Sequence, residues 1–336
     1  MEAQVNQPQD IPKSEIIDQA TDWIYKTGAL RAAVDLQLWD RVASGEDTAE
    51  KMAEREGWDL TGTRVLLDVI CSLKLMSREE DRYALVPESD YYLCTSKQTY
   101  KGGILQSEFD WVAKGDLAET IRNGKRPLTY DATTPNIAGL FLADYSRRWV
   151  YPEIYFEMDE LLWQLLGIEA HEGLRVLDLA CGPAPRSLAL ARLHTGVRLT
   201  WLDWEDVLRT ALNVAERSGV ANQITLLSGD LWRVDLASRS FDLAYLGDVT
   251  HFFSPEDNTR LFGKVHSALA PGGIITVNSV ARRENEWSAV AGLWLYAATA
   301  GGGAYDFAEY KSMLEEAGFT NVEDINQGPI RAVKSS

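Results

Sequence analysis

The stretch Val176–Leu190, "VLDLACGPAPRSLAL", decides how the chain is read. An apolar run carrying one acid, Asp178, enters a loop of small residues, and "RSLALARLH" then continues with helical spacing. A strand, tight loop and helix of this kind open a doubly wound α/β sheet, where the ligand sits beyond the carboxyl ends of the strands. The loop offers one glycine, Gly182, between Ala180 and Ala184. Alanine tolerates positive φ poorly, so the sequence predicts that 180 and 184 avoid the left-handed region, with Pro183 and Pro185 helping to fix φ. The prolines also remove backbone donors that a pyrophosphate would need, so the loop suits a ligand without phosphates.

Downstream, strands and helices alternate. "VRLTWLD", "QITLLSGD", "FDLAYLG" and "GIITVNSV" read as strands, and "VLRTALNVAERSG" and "EDNTRLFGKVHSALA" as helices, the latter ended by Pro271 and Gly272. This repeat predicts a parallel Rossmann-like sheet over 168–336. Upstream, "SEIIDQATDWIYKTGALRAAVDLQLWDRV" with Ser14 as cap, "DTAEKMAEREG" with Asp47 or Thr48 as cap, and "DLTGTRVLLDVICSLKLM" read as helices. "SREEDRYALVPESDYYL" follows as a short hairpin. Three helices and a hairpin predict a mostly helical winged-helix module over 13–100, behind a disordered tail at 1–12. Between the two, 101–167 reads as an interrupted helical connector with a fresh start at Pro152.

The 336 residues carry a net charge of −17, which argues against nucleic acid or an anionic membrane as partner. The hydrophobic share of 46% supplies a core, so the acidity does not imply disorder. Three scattered cysteines suggest neither a disulfide framework nor a zinc site. With a polar N-terminus and no run near ~18 apolar residues, a cytoplasmic protein is expected. The would-be recognition helix "GTRVLLDVICSLKL" is too apolar to read a DNA groove, which sets a DNA-binding regulator behind the other readings.

Asp178, Asp203 and Asp230 stand in order on three successive strands, and Asp203 follows Gly182 by 21 residues, where an acid accepts hydrogen bonds from ribose hydroxyls. With "VLDLACGPA", "LTWLD", "LLSGDLW", "LGDVTHFFSPED", "LAPGGIITV" and "YDFAEYKSMLEEAGF", the chain resembles the S-adenosylmethionine-dependent methyltransferases. With "AVDLQLWDRVA" and "YALVPES", its front resembles the dimerisation domain of the small-molecule O-methyltransferases. The resemblance covers roughly 15–334 and departs from the family at Ala180, Ala184 and Pro185, where glycines are common. It implies S-adenosylmethionine as cofactor and S-adenosylhomocysteine as product. The loop of Asp178, Ala180 and Gly182 would meet the methionine part, Asp203 and Trp204 the ribose, Asp230 and Leu231 the adenine, and Gly247 would lie near the cofactor. Arg147 or Arg148 could meet the cofactor's carboxylate.

Of the four histidines, His251 alone follows a strand at the ligand-binding edge, and the resemblance makes it the catalytic base for a hydroxyl. The family often follows this histidine with an acid and a tryptophan; here Phe252 and Phe253 stand instead. Trp111, Phe141, Tyr145, Trp149, Tyr155, Met158, Phe252, Trp294 and Tyr305 are candidates to line an apolar pocket for a planar, aromatic substrate. No metal cluster is visible and a homodimer through the N-terminal domain is expected. Two alternatives stay open: C- or N-methylation, and use of the bound sulfonium as a mere positive charge in a cyclase-, hydroxylase- or decarboxylase-like reaction.

Overall fold

The computed structural model describes residues 15–97, 99–106, 117–124, 156–236 and 240–335. It divides into two compact units, Met1–Gln106 and Ser107–Ser336. The residues expected to form a connector are shared between them: the 3₁₀ turn Gly102–Gln106 belongs to the first unit, the helices Leu117–Asn123 and Phe156–Leu165 to the second.

In the first unit, helices α1 (Glu15–Asp35), α2 (Leu38–Ala43), α3 (Ala49–Glu56) and α4 (Leu60–Ser72) precede the antiparallel pair β1 (Ser77–Glu79) and β2 (Arg82–Ala84) and a short helix, α5 (Pro87–Leu93). Thr48, one of the two expected caps, accepts from the Lys51 N–H at 3.2 Å. Trp39, Met52, Leu67 and Ile70 are fully buried in the core, and the Trp39 indole donates to the Leu75 carbonyl. Helix α4 buries Thr63, Leu67 and Ile70. Ile16, Ile17, Trp23, Ile24 and Tyr25 of α1 are exposed.

The second unit holds a seven-stranded sheet: β3 (Arg175–Leu179), β4 (Arg198–Asp203), β5 (Ile224–Ser228), β6 (Phe241–Gly247), β7 (Leu269–Asn278), β8 (Phe319–Asp324) and β9 (Ile330–Lys334). The order is β5-β4-β3-β6-β7-β9-β8, parallel through β7, with β9 antiparallel to both its neighbours. Strand period sorts the side chains. Val176, Leu199, Trp201, Leu243 and Tyr245 face one cluster; Leu177, Leu179, Leu202, Ala244 and Leu246 face the other. Helices α7 (Phe156–Leu165), α8 (Pro185–Leu193) and α9 (Glu205–Arg217) cover the first face. Helices α10 (Pro255–Ala268) and α12 (Phe307–Glu316) cover the second, while α6 (Leu117–Asn123) and α11 (Glu286–Ala298) meet in a small cluster of their own. Helix α9 shows why: Val207, Leu208, Ala211, Val214 and Ala215 are its buried residues, one stripe of a 3.6-residue period.

Three expectations need correction. The helix ahead of Pro271 ends at Ala268, and β7 begins at Leu269 and runs through Pro271 and Gly272. The pairing with β6 jumps there, from Phe241↔Leu269 to Leu243↔Ile274, so the turn residues form a bulge inside the strand. The sheet is not wholly parallel, because β8 and β9 add an antiparallel edge that periodicity did not reveal. Finally, Ala180 and Ala184 are both left-handed, at φ 51° and 55°, as is Gly182 at 56°.

Candidate functional site

Strand order reverses between β3 and β6, since β4 and β5 extend the sheet to one side and β7 to the other. A crevice opens at such a switch point, beyond the carboxyl ends of the strands. Of the residues singled out by sequence, Asp203 ends β4 on one bank and His251 follows β6 on the other.

On the β3–β4 bank, three alternate residues, 180, 182 and 184, turn left-handed, and two of them carry a Cβ. Each such alanine costs on the order of 1 kcal/mol or more. Neighbouring bonds hold the loop against that cost. The Gly182 N–H donates to Asp203 Oδ2 at 2.9 Å, and the Cys181 N–H reaches the Leu202 carbonyl at 3.4 Å. Ala184 caps α8 from the left-handed region, directly ahead of Pro185. Asp203 Oδ1 accepts from the Trp204 N–H at 2.7 Å. Desolvation raises the Asp203 carboxyl to about 6, although both backbone donors pull the other way.

Asp178 is not at the crevice edge. It lies on the Val176 face of β3, beneath α8, and its Oδ2 takes the Ser187 hydroxyl at 2.5 Å, while the Trp201 indole donates to that same serine oxygen. Burial pushes its carboxyl up to about 7. Asp230 follows β5 and accepts from the Trp232 N–H at 2.8 Å. Leu231 packs half-buried against the core, and its carbonyl accepts from Lys264 Nζ. Gly247 ends β6 where a Cβ would stand 2.6 Å from the Tyr245 ring, a close approach only glycine allows.

On the β6–β7 bank, His251 sits in the single 3₁₀ turn Thr250–Phe252, 4% exposed. Its carbonyl accepts from the Gly303 N–H at 3.0 Å. A Cβ on Gly302 would meet that same carbonyl at 2.2 Å, so the "GGG" at 301–303 is a packing surface for the histidine turn. The Asn258 side chain clamps the turn by donating to the Thr250 carbonyl at 2.9 Å. His251 Nδ1 lies 2.8 Å from Ser279 Oγ and accepts from the Val280 N–H at 3.5 Å. Burial lowers the ring's pKa to about 4, against the nearby charge of Asp248. The other histidines are occupied locally: His171 Nδ1 with the Glu172 carbonyl, His194 with the Gly196 N–H, and His266 against the Phe319 ring.

One cation joins the banks. Arg186, at the start of α8, lies 3.6 Å from Asp159 and 3.4 Å from Asp248, and Asn278, with its amide oxygen turned inward, accepts from the guanidinium at 3.1 Å. Neither Arg186 nor Ser279 was legible in sequence, because each matters through elements distant in the chain.

Phe252 packs against His251 with ring centroids 4.4 Å apart and planes tilted by 56°, and Trp294 meets Phe252 edge-on at 6.2 Å. Tyr305 is buried and donates to the Phe253 carbonyl at 2.6 Å, which makes it core. Met158 on α7 is 71% exposed. Trp111, Phe141, Tyr145, Arg147, Arg148, Trp149 and Tyr155, the expected start at Pro152 and the Ser14 cap lie outside the described residues.

The loop fits a phosphate-free nucleoside. Each Asp203 oxygen has accepted one backbone N–H and keeps lone-pair capacity for a ribose hydroxyl.

Comparison with known proteins agrees. Residues 176–273 match the family described as "Methyltransferase domain", and residues 19–95 the "O-methyltransferase dimerisation domain". The tetracenomycin polyketide synthesis 8-O-methyl transferase TcmO of Streptomyces glaucescens is 27% identical over 316 residues, 90% of this chain and 91% of that protein. The 3-hydroxy-5-methyl-1-naphthoate 3-O-methyltransferase of Streptomyces sahachiroi is 23% identical, over 92% and 90%. In fold, human N-acetylserotonin methyltransferase, solved with S-adenosylmethionine, matches 98% of this chain and 100% of its own at a TM-score of 0.79 and 21% identity. The chain therefore belongs to the S-adenosylmethionine-dependent O-methyltransferases, an enzyme with a dimerisation domain ahead of a Rossmann-like methyltransferase domain and S-adenosylmethionine as its cofactor.

Proposed function

We propose that this enzyme methylates a hydroxyl on a small aromatic molecule of secondary metabolism, and that His251 is the side chain that handles that hydroxyl. The carrying observation is a buried histidine held on the bank opposite the Asp203 loop. The names of TcmO and the naphthoate enzyme, both O-methyltransferases of aromatic or polyketide products, support the substrate class.

In this reading Ala180 and Gly182 cradle the methionine part of the cofactor, Asp203 and Trp204 the ribose, and Asp230 and Leu231 the adenine, with Gly247 alongside. Arg148, the expected partner of the cofactor's carboxylate, belongs to the same proposal. Asp178 acts from behind, by fixing Ser187 at the start of α8. The bound sulfonium supplies a methyl group already activated for transfer, so the chain's own task is to position and orient the acceptor. Phe252 and Trp294 offer an aromatic wall beside His251. Trp111, Phe141, Tyr145, Trp149 and Met158 complete the proposed lining.

Base catalysis by His251 asks that the ring be neutral and that a bare nitrogen face the hydroxyl. With its pKa lowered to about 4, the ring is neutral at pH 7. The same burial makes it a weaker base than a solvent-exposed imidazole.

The exposed apolar side chains of α1, in a domain of the dimerisation family, support a homodimer through the N-terminal unit. Light scattering of the purified protein tests this, with twice the chain mass expected. A cytoplasmic location belongs to the same proposal; among the described residues no helix is long and apolar enough to cross a membrane.

The test of function is S-adenosylmethionine carrying a deuterated methyl group, offered with a panel of phenols, naphthols, anilines and their O-methyl ethers. An O-linked label on the phenols is expected. A label on carbon or nitrogen would replace this reading, as would conversion of an acceptor with no label transferred.

A further inference from the structure

A charge cluster lies beside the loop proposed for the methionine part of the cofactor, and the chemistry above leaves it unused. Its centre is Arg186, two residues past the left-handed Ala184. The Trp163 indole donates to the Arg186 carbonyl at 2.6 Å and pins the first turn of α8 to α7. The Arg186 side chain, 26% exposed, then reaches across the switch point. Its Nη1 lies 3.4 Å from Asp248 Oδ2, just past β6, while Nε and Nη2 lie 3.3 and 3.1 Å from the inward-turned amide oxygen of Asn278, the last residue of β7. A guanidinium has five N–H bonds. Among the described residues these contacts take three, which leaves one on Nη1 and one on Nη2, the fork that grips a carboxylate bidentately. Asp159 completes the cluster from the first turn of α7. It is 7% exposed, its Oδ1 stands 3.6 Å from Arg186 Nε, and its Oδ2 has no hydrogen-bond partner among the described residues. A carboxylate oxygen buried without a donor is costly, and burial raises this carboxyl to about 6 in spite of the guanidinium beside it. The cluster thus has donors to spare on its cation and an acceptor short of a donor on its acid.

The amino-acid end of the cofactor supplies both missing halves, an α-carboxylate and an α-ammonium on one carbon. We infer that Arg186 and Asp159 clamp that end: Arg186 takes the carboxylate through Nη1 and Nη2, Asp159 Oδ2 takes the ammonium, and Asp248 and Asn278 hold the guanidinium in place. Being zwitterionic, that end adds no net charge to a cluster of two acids and one base, and each of its charges meets a partner already desolvated. The clamp adds Arg186 to Arg148 as a partner of the carboxylate. It rests on the placement of the methionine part over Ala180 and Gly182 proposed above, and is independent of which acceptor is methylated. A mere strut of ion pairs joining α7, β6 and β7 would leave Asp159 Oδ2 bare and would be indifferent to what the ligand carries at its far end.

The test is calorimetric titration of the full-length protein with four ligands. S-adenosylhomocysteine is compared with 5′-methylthioadenosine, which keeps the nucleoside and the sulfur but has no amino-acid end, and with two analogues in which hydrogen replaces the carboxylate or the ammonium. The wild type should bind S-adenosylhomocysteine at least about tenfold more tightly than any of the other three. Arg186→Gln should weaken S-adenosylhomocysteine and the analogue without ammonium by about 30-fold, and leave 5′-methylthioadenosine and the analogue without carboxylate within about threefold. Asp159→Asn should do the converse, with a loss of about tenfold confined to the two ligands that keep the ammonium. If Arg186→Gln does not fold, Arg186→Lys keeps the cation without the fork and should show the same pattern at about tenfold. Equal losses for S-adenosylhomocysteine and 5′-methylthioadenosine, or no loss for either, overturn the clamp. Asp203→Ala separates the two levels of the argument, because it should weaken all four ligands alike through the ribose. If it weakens none, the placement of the cofactor fails; if it weakens all four while the Arg186 and Asp159 variants weaken none, the placement stands and the clamp alone falls.

Discussion

The two banks of the switch point solve the same problem with different chemistry. Around β3 and β4 the polar groups are carboxylates made reluctant to ionise: Asp178 near 7 and Asp203 near 6, both through desolvation. Around β6 and β7 the histidine is kept neutral, with Nδ1 held by a hydroxyl and an amide. The first bank holds two left-handed alanines; the second holds a left-handed Asp248 and uses the close packing of Gly302. A cationic donor draws such carboxylates toward their ionised form, and a neutral acceptor is met by a neutral partner. The difference between the banks is thus the difference between the two ligands.

The largest effect should come from cutting the first bank alone. Asp203→Ala removes a carboxylate bound to two backbone N–H groups and the proposed ribose acceptor, and S-adenosylhomocysteine affinity should fall about 100-fold by calorimetry. His251→Ala should leave that affinity within about threefold; an equal loss in both variants would erase the distinction between the banks.

Stability against pH separates them next. Asp178, Asp203 and Asp159 are raised to about 7, 6 and 6, so the folded ligand-free protein holds protons that the unfolded chain has released. Stability is therefore lost as pH rises from about 4 to about 7. His251, lowered to about 4, works in the opposite sense over pH 4 to 6.5 and offsets part of the slope. Asp178→Asn should flatten the dependence, by up to roughly 4 kcal/mol across the window, in denaturant titrations from pH 4.5 to 8.

Smaller effects follow from backbone and caps. Ala180→Gly or Ala184→Gly, ordinarily unfavourable changes, should stabilise by about 1 kcal/mol because both positions are left-handed, a gain read as a rise in Tm. On the other bank Ser254→Ala should cost about 1 kcal/mol, since its hydroxyl caps α10 through the Asp257 N–H at 3.1 Å.

What the sequence carried was whatever a local period encodes. The core strands β3, β4 and β6 were legible because burial on both faces writes near-continuous apolar runs into them, and the stripe of α9 because burial on one face imposes a period of 3.6. Strand β8 was not, because it is an edge with mostly exposed side chains, and its turn to β9 uses left-handed Asn326 and Gln327. The left-handed alanines escaped because the hydrogen bonds that hold the loop outweigh the local preference of alanine. Asp178 was counted among strand-end acids although its place in the period turns it toward Ser187. Ser279 meets His251 from the end of β7, and Tyr310 of α12 meets the neighbouring Thr250; no spacing in the chain announces either meeting.

The most direct test of the two-bank account is calorimetric titration of S-adenosylhomocysteine into wild type, Asp203→Ala and His251→Ala. One site per chain is expected in the wild type, with a loss of about two orders of magnitude in Asp203→Ala and near-unchanged affinity in His251→Ala. Failure of the wild type to bind, or equal affinity in wild type and Asp203→Ala, would contradict it.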